Sequence, residues 1–149
     1  NQFGLSGTKR NLVAPDRRMV SSMAPTIVED PQGRLFMVVG TPGGPTIITT
    51  IFQVIMNVID HGMYIEEAVT ARLVHHQWKP RFLGYEEFAL SRDAVQNLRN
   101  RGWTVNQGFL VYDEIWGRTQ ALRVKYPSDQ EEVFYGGADP RRGGAAIGF

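Results

Sequence analysis

Leu35-Phe36-Met37-Val38-Val39-Gly40-Thr41-Pro42-Gly43-Gly44-Pro45 is the stretch from which the fold can be read. An apolar run without polar alternation reads as a strand covered on both faces, which points to a sheet held between layers. Paired glycines follow, and then a run from Ile47 to Ile59 with apolar residues at helical spacing. A strand that ends in glycines at a helix start presents bare backbone N–H groups, and the helix dipole favours negative charge at the same point. An oxyanion hole can be built this way. Pro45 suits the first helical turn, where its missing N–H costs nothing, so the donors would be the amides of Gly43 and Gly44. The same residues also read as a plain glycine turn, and they match no phosphate-loop pattern.

Upstream, Thr26 to Glu29 and Arg34 to Val39 form a predicted hairpin across Asp30-Pro31-Gln32-Gly33, with Asp, Pro and Gly at favoured turn positions. Residues 1–20 mix Gly, Pro, Lys and Arg without periodicity and read as an irregular surface strap. Downstream, Thr46, Thr49, Thr50, Gln53, Asn57 and Asp60 form a polar stripe on the helix, and the apolar residues around it predict a largely buried element. Gly62 fits its C-terminal cap, and Ile65 to Arg72 reads as a second short helix. Ser91 is placed to cap a third, Arg92 to Arg101, ended by Gly102. Strands are predicted at Thr104 to Asn106, Thr119 to Tyr126 and Glu132 to Tyr135, the second with a wetter face at Ala121, Arg123 and Lys125. Mixed strands and helices around a covered sheet give a layered α+β architecture.

Composition fits a globular unit: of 149 residues, 42% are hydrophobic and the formal net charge is +1. That balance argues against an electrostatic nucleic-acid partner, and the pairs Arg17-Arg18 and Arg141-Arg142 read as solvated surface. The chain has no cysteine, hence no disulfide frame and no thiolate metal site. The run Ile47 to Ile59 is too short and too interrupted for a membrane span, and no signal peptide is visible.

Ser21-Ser22 is a second candidate site, because hydroxyls and neighbouring amides can together hold a carboxylate; the alternative is a serine turn that starts the Thr26 strand. His75 and His76 are sequence neighbours with no third ligand at metal spacing, and His61 sits at a helix end, so all three read as structural or surface residues. Asp113-Glu114 and Glu86-Glu87 have no partner fixed at a useful distance and read as solvated carboxylates. Asp139-Pro140-Arg141 suggests an Asp–Arg pair holding a C-terminal loop.

The order Arg17-Arg18-Met19-Val20-Ser21-Ser22-Met23-Ala24-Pro25, Gly40-Thr41-Pro42-Gly43-Gly44-Pro45, Ile47-Ile48-Thr49-Thr50, Glu67-Ala68 through His75-His76-Gln77-Trp78, and Gly137-Ala138-Asp139-Pro140-Arg141 resembles the γ-glutamyltranspeptidase family of N-terminal nucleophile hydrolases. The likeness runs from about Phe3 to Phe149 and falls on the C-terminal part of the small subunit. It implies an αββα sandwich of stacked antiparallel sheets assembled from both subunits, of which residues 1–149 form a single incomplete domain. It implies an acyl-threonine intermediate in which a γ-glutamyl group moves from glutathione or a related amide to water or an amino acid, with no cofactor. By the same resemblance Gly43 and Gly44 form the oxyanion hole, and Ser21 and Ser22 bind the α-carboxylate.

The family's nucleophile is a threonine exposed by self-cleavage several dozen positions upstream of Asn1, with its own amine as base. The chain alone is therefore expected to be inactive. The remaining N-terminal part and the large subunit are its expected partners, and self-association is expected in isolation. The implied setting is periplasmic or extracellular. Alternatives are another acylase of the family, acting on a β-lactam side chain or poly-γ-glutamate, and a non-catalytic scaffold or binding domain.

Overall fold

The computed structural model describes residues 12–19, 21–79, 81–108 and 116–148, without the side chain of Arg142. Of the expected strap, residues 12–19 form turns and extended stretches with neither strand nor helix; the rest of it, and Asp113-Glu114, lie outside the described residues.

The first hairpin forms where its turn chemistry predicts. Strands β1 (Thr26–Glu29) and β2 (Leu35–Gly40) pair antiparallel, with Thr26 opposite Val39. The Asp30 carboxylate accepts from the backbone N–H of Gln32 and Arg34, each at 2.9 Å, while Gly33 takes a left-handed φ of 77°. After the glycine turn come α1 (Ile47–Ile59) and α2 (Ile65–Thr70), then β3 (Val74–His75) and β4 (Leu83–Tyr85). Next are α3 (Arg92–Asn100), β5 (Val105–Gln107), β6 (Gln120–Ser128) and β7 (Glu131–Ala138). The main sheet is antiparallel, four-stranded, in the order β1-β2-β6-β7; β3, β4 and β5 form a separate three-stranded sheet. The short strands β3 and β4 escape a sequence reading because neither is long enough to show a period.

The core lies between one face of the main sheet and the two helices. Met37, Val39 and Ala121 from the strands meet Ile47, Ile51, Val54 and Val58 of α1 and Ile65, Ala68 and Val69 of α2. Each large side chain so buried contributes about 1.5–3 kcal/mol. Helix α2 comes unusually close to β7 because Gly137 has no side chain: a Cβ there would stand 2.9 Å from the Ile65 carbonyl oxygen and 3.1 Å from Val69 Cγ2.

Two burial expectations are corrected. Ala121 was assigned to a wetter face, but its pairing with Val39 places it in the core. Nor is β2 covered on both sides among the described residues. Ile27, Val38 and Phe134, which share the other face by register, are 69%, 36% and 54% exposed. Among the described residues, helices α1 and α2 cover one face of this sheet, as in an α-and-β part of the αββα sandwich.

Helix α1 also departs from its expected burial. Thr46 and Thr50 of the polar stripe are buried, whereas Ile48, Phe52 and Ile59 are exposed. Elsewhere on the stripe, β3 supplies polar partners to Thr49 and Gln53. The Gln53 side-chain amide donates to Val74 O at 2.8 Å and accepts from Val74 N at 3.0 Å, so it pairs with β3 as another strand would. Helix α3 follows expectation, with Ser91 Oγ accepting from Ala94 N at 3.1 Å and Val95 turned inward.

Candidate active site

Beyond Gly40 the chain leaves the sheet through Thr41 and Pro42 and enters a 3-10 turn, Gly44–Thr46, that runs directly into α1. Gly43 has φ 152° and Gly44 φ 57°, conformations that an L side chain resists. The Gly43 carbonyl points inward and accepts from Thr46 N at 3.2 Å and from Thr46 Oγ1 at 3.1 Å. Among the described residues, neither the Gly43 nor the Gly44 N–H donates to a protein acceptor. Both glycines are half-buried, and donors without a described protein partner at a helix start are what binding a developing oxyanion requires.

Ser21 and Ser22 stand shortly before β1. Ser21 is exposed and its Oγ accepts from Met23 N at 3.1 Å, a local serine turn, while Ser22 is half-buried. Because Thr26 pairs with Val39, the entry to β1 and the exit from β2 share one end of the sheet. Gly40 pairs with Gln120, and Gln120 with Ala138, so Thr119 and Asp139 emerge at that end too. Pairing thus brings Ser21-Ser22, Gly43-Gly44 and the Asp139–Arg141 turn to a common sheet end.

The Asp139–Arg141 pair exists and is part of a larger clamp. Arg141 forks onto Glu86, with Nε at 2.6 Å from Oε1 and Nη2 at 2.7 Å from Oε2, while Nη1 reaches Asp139 Oδ1 at 3.0 Å. Its remaining hydrogens go to Val69 O at 3.2 Å and Ala71 O at 2.7 Å, at the C-terminal end of α2. Asp139 also accepts from Thr119 N, and Glu86 from Leu73 N. The solvated-surface reading fails for Glu86 and Arg141, whose side chains are 9% and 13% exposed. Arg17 and Arg18 are exposed as expected. Burial works against the Arg141 charge, but Glu86 and Asp139 outweigh it and hold the guanidinium pKa above its usual value. Glu86 and Arg141 are 55 residues apart, and no local pattern announces the pairing.

His75 is buried between α1 and Gln77. Its Nδ1 lies 2.7 Å from Thr49 Oγ1 and its Nε2 lies 2.9 Å from Gln77 Oε1. Burial lowers its pKa and nearby His76 adds to the effect, with the Gln77 bond opposing both. His76 packs edge-on against Trp103, and His61 is exposed beyond α1. Among the described residues no group of three or more His, Asp or Glu could hold a metal ion. A cleft of about 630 Å³ lined by His76, Trp78, Arg81 and Trp103 lies apart from the glycine turn. No helix among the described residues is long and apolar enough to cross a membrane. Sequence reasoning places Thr46 and Thr49 in a polar stripe and His75 among structural residues, but misses the contacts that link them to the turn. The available signal was threonine three and six positions after Gly43, where a hydroxyl can turn back toward the first helical carbonyls.

The antiparallel sheet with α1 and α2 on one face matches part of the αββα fold of the N-terminal nucleophile hydrolases. The profile described as Gamma-glutamyltranspeptidase matches residues 1–149, and the chain belongs to that family. It is 41% identical over 155 residues to a glutathione hydrolase proenzyme of Pseudomonas sp. (strain A14), covering 100% of this chain and 26% of the relative. To the glutathione hydrolase proenzyme of Escherichia coli (strain K12) it is 39% identical over 141 residues, 95% of this chain and 22% of the relative. The chain thus spans about a quarter of the length of these precursors. Among solved structures, the T380A mutant of the Helicobacter pylori γ-glutamyltranspeptidase superposes with a TM-score of 0.85 at 42% identity, covering 95% of this chain and 72% of that one.

Proposed function

We propose that the complete protein is a γ-glutamyltransferase or hydrolase acting on glutathione or related γ-glutamyl amides. In this reading Ser21 and Ser22 hold the α-carboxylate of the γ-glutamyl group, and Gly43 and Gly44 donate to the oxygen of its γ-carbonyl. A threonine hydroxyl from outside these 149 residues attacks the carbonyl carbon of the γ-amide, and its proton passes to the threonine's own amine. The carbonyl oxygen takes up negative charge. Collapse of the tetrahedral adduct expels the amine, which takes the proton, and leaves an acyl-threonine ester. Water or an amino acid then attacks that ester. The observation that carries the reading is that the amides of Gly43 and Gly44, two half-buried residues at the strand-to-helix turn, have no described protein acceptor. Removing one such donor costs about 2.7–4 kcal/mol of barrier in comparable sites.

An N-terminal part of the small subunit and a large subunit are the proposed partners, and a periplasmic or extracellular setting fits the family. Release of p-nitroaniline from γ-glutamyl-p-nitroanilide by the complete protein tests the reading. Hydrolysis of a β-lactam side chain or poly-γ-glutamate in its place would reassign the donor. Turnover of none of these would favour a scaffold.

A further inference from the structure

We infer that Thr46 is a positioning residue that locks the Gly43–Gly44 peptide in the orientation that exposes the Gly44 N–H. The inference rests on the proposed oxyanion role and deepens it. A trans peptide is planar, and its C=O and N–H point in opposite directions. The Gly43 carbonyl and the Gly44 N–H belong to the same peptide. Whatever fixes the carbonyl inward therefore fixes the N–H outward.

A peptide between two glycines is easily turned over, because neither neighbour has a Cβ to obstruct it. Turned over, it would offer a carbonyl lone pair where a donor is needed and would repel a developing oxyanion. Thr46 opposes that rotation twice, through its N–H at 3.2 Å and its hydroxyl at 3.1 Å, both on Gly43 O. Thr46 is fully buried, so its hydroxyl is kept from water and held to the carbonyl. Thr46 is held in turn, because the Thr49 hydroxyl lies between Thr46 O at 3.1 Å and the buried His75 Nδ1 at 2.7 Å. The chain of contacts runs from β3 through α1 to the glycine turn without an exposed link.

The test compares Thr46→Val, which replaces the hydroxyl with a methyl group of similar size, with Thr46→Ser, which keeps it. In the complete protein, Thr46→Val is expected to lower kcat about tenfold and leave KM within about twofold, short of the loss from deleting a donor, while Thr46→Ser restores kcat. A structure of Thr46→Val is expected to show the Gly43–Gly44 peptide rotated. Should Thr46→Val fail to fold, Thr49→Val, one contact further from the turn, is expected to give a smaller loss of kcat in the same direction.

Normal kcat in a folded Thr46→Val protein, a loss confined to KM, or equal losses in the valine and serine variants would overturn the inference. The two readings can fail separately. An unmutated protein without γ-glutamyl turnover removes the oxyanion role but leaves the lock to be judged by peptide orientation. An unrotated peptide in Thr46→Val removes the lock whatever the activity.

Discussion

Replacing Arg141 with alanine is the most severe test of how the sheet end is assembled. The side chain supplies a bidentate pair to Glu86, contacts to both oxygens of Asp139, and donors to the carbonyls of Val69 and Ala71. Truncation would leave two carboxylates facing each other's region without a cation, with Asp139 fully buried and Glu86 9% exposed. Removing one partner of a buried pair costs about 3–5 kcal/mol, mostly from the charge left behind. Here two acids lose their cation, though each keeps a backbone N–H donor, and two carbonyls lose a donor, so that range applies. This is a large fraction of the roughly 5–15 kcal/mol that holds a domain folded.

Urea unfolding of the complete protein, at fixed concentration, reads the change as a shift in midpoint at constant slope. Arg141→Lys, which keeps the charge but not the fork, is expected to lose less than Arg141→Ala yet clearly more than a surface change. Adding Glu86→Gln to Arg141→Ala removes one orphaned charge and is expected to recover part of the loss. If Arg141→Ala costs under about 1 kcal/mol, the value typical of an exposed pair, the clamp does not bear on stability and the reasoning fails.

Gly44→Val forces a β-branched residue to a φ of 57° beside the proposed donor, and is expected to cut kcat about a hundredfold with the fold retained; near-normal turnover would remove the oxyanion assignment. Since His75 has a lowered pKa when folded, it stays neutral while the unfolded chain protonates below its ordinary value of 6.5. Stability is thus expected to fall as pH drops below that value, and His75→Gln to flatten the decline, as measured by unfolding between pH 7.5 and 5.5 (about one pH unit either side of an ordinary histidine). Expressed alone, residues 1–149 are expected to self-associate through the exposed Ile48, Phe52 and Ile59 of α1 and the open sheet face; a compact monomer on size-exclusion chromatography without binding of a hydrophobic dye would refute this.

Much of the backbone was legible because its signals are local. Asp30 and Gly33 close the hairpin, Ser91 caps α3, and the run from Ile47 to Ile59 has helical spacing whatever surrounds it. Burial was less legible, because it depends on what stands opposite. Thr46 and Thr50 belong to a stripe that reads as wet, and Ile48 and Phe52 read as core, yet the first pair is buried and the second exposed. Glu86 looked solvated because its partner is 55 residues away. The catalytic candidates were found through the motif order; glycines and serines alone also describe ordinary turns.

The antiparallel sheet explains why distant motifs meet. One register, Thr26 with Val39, Gly40 with Gln120 and Gln120 with Ala138, sends the serine segment, the glycine turn and the Asp139 turn out at the same end. A slip of one residue would turn Met37, Val39 and Ala121 out of the core, so the buried face enforces the register that assembles the site. The clamp acts on that same end, since Asp139 binds Thr119 N next to Gln120, whose pairing partner Gly40 is the last residue of β2 before the glycine turn. Loss of Arg141 is therefore expected to reach the Gly43–Gly44 amides through the strand ends, lowering kcat at temperatures where the protein is still folded. A variant that loses stability but keeps kcat would show that the strand ends hold their register without the clamp.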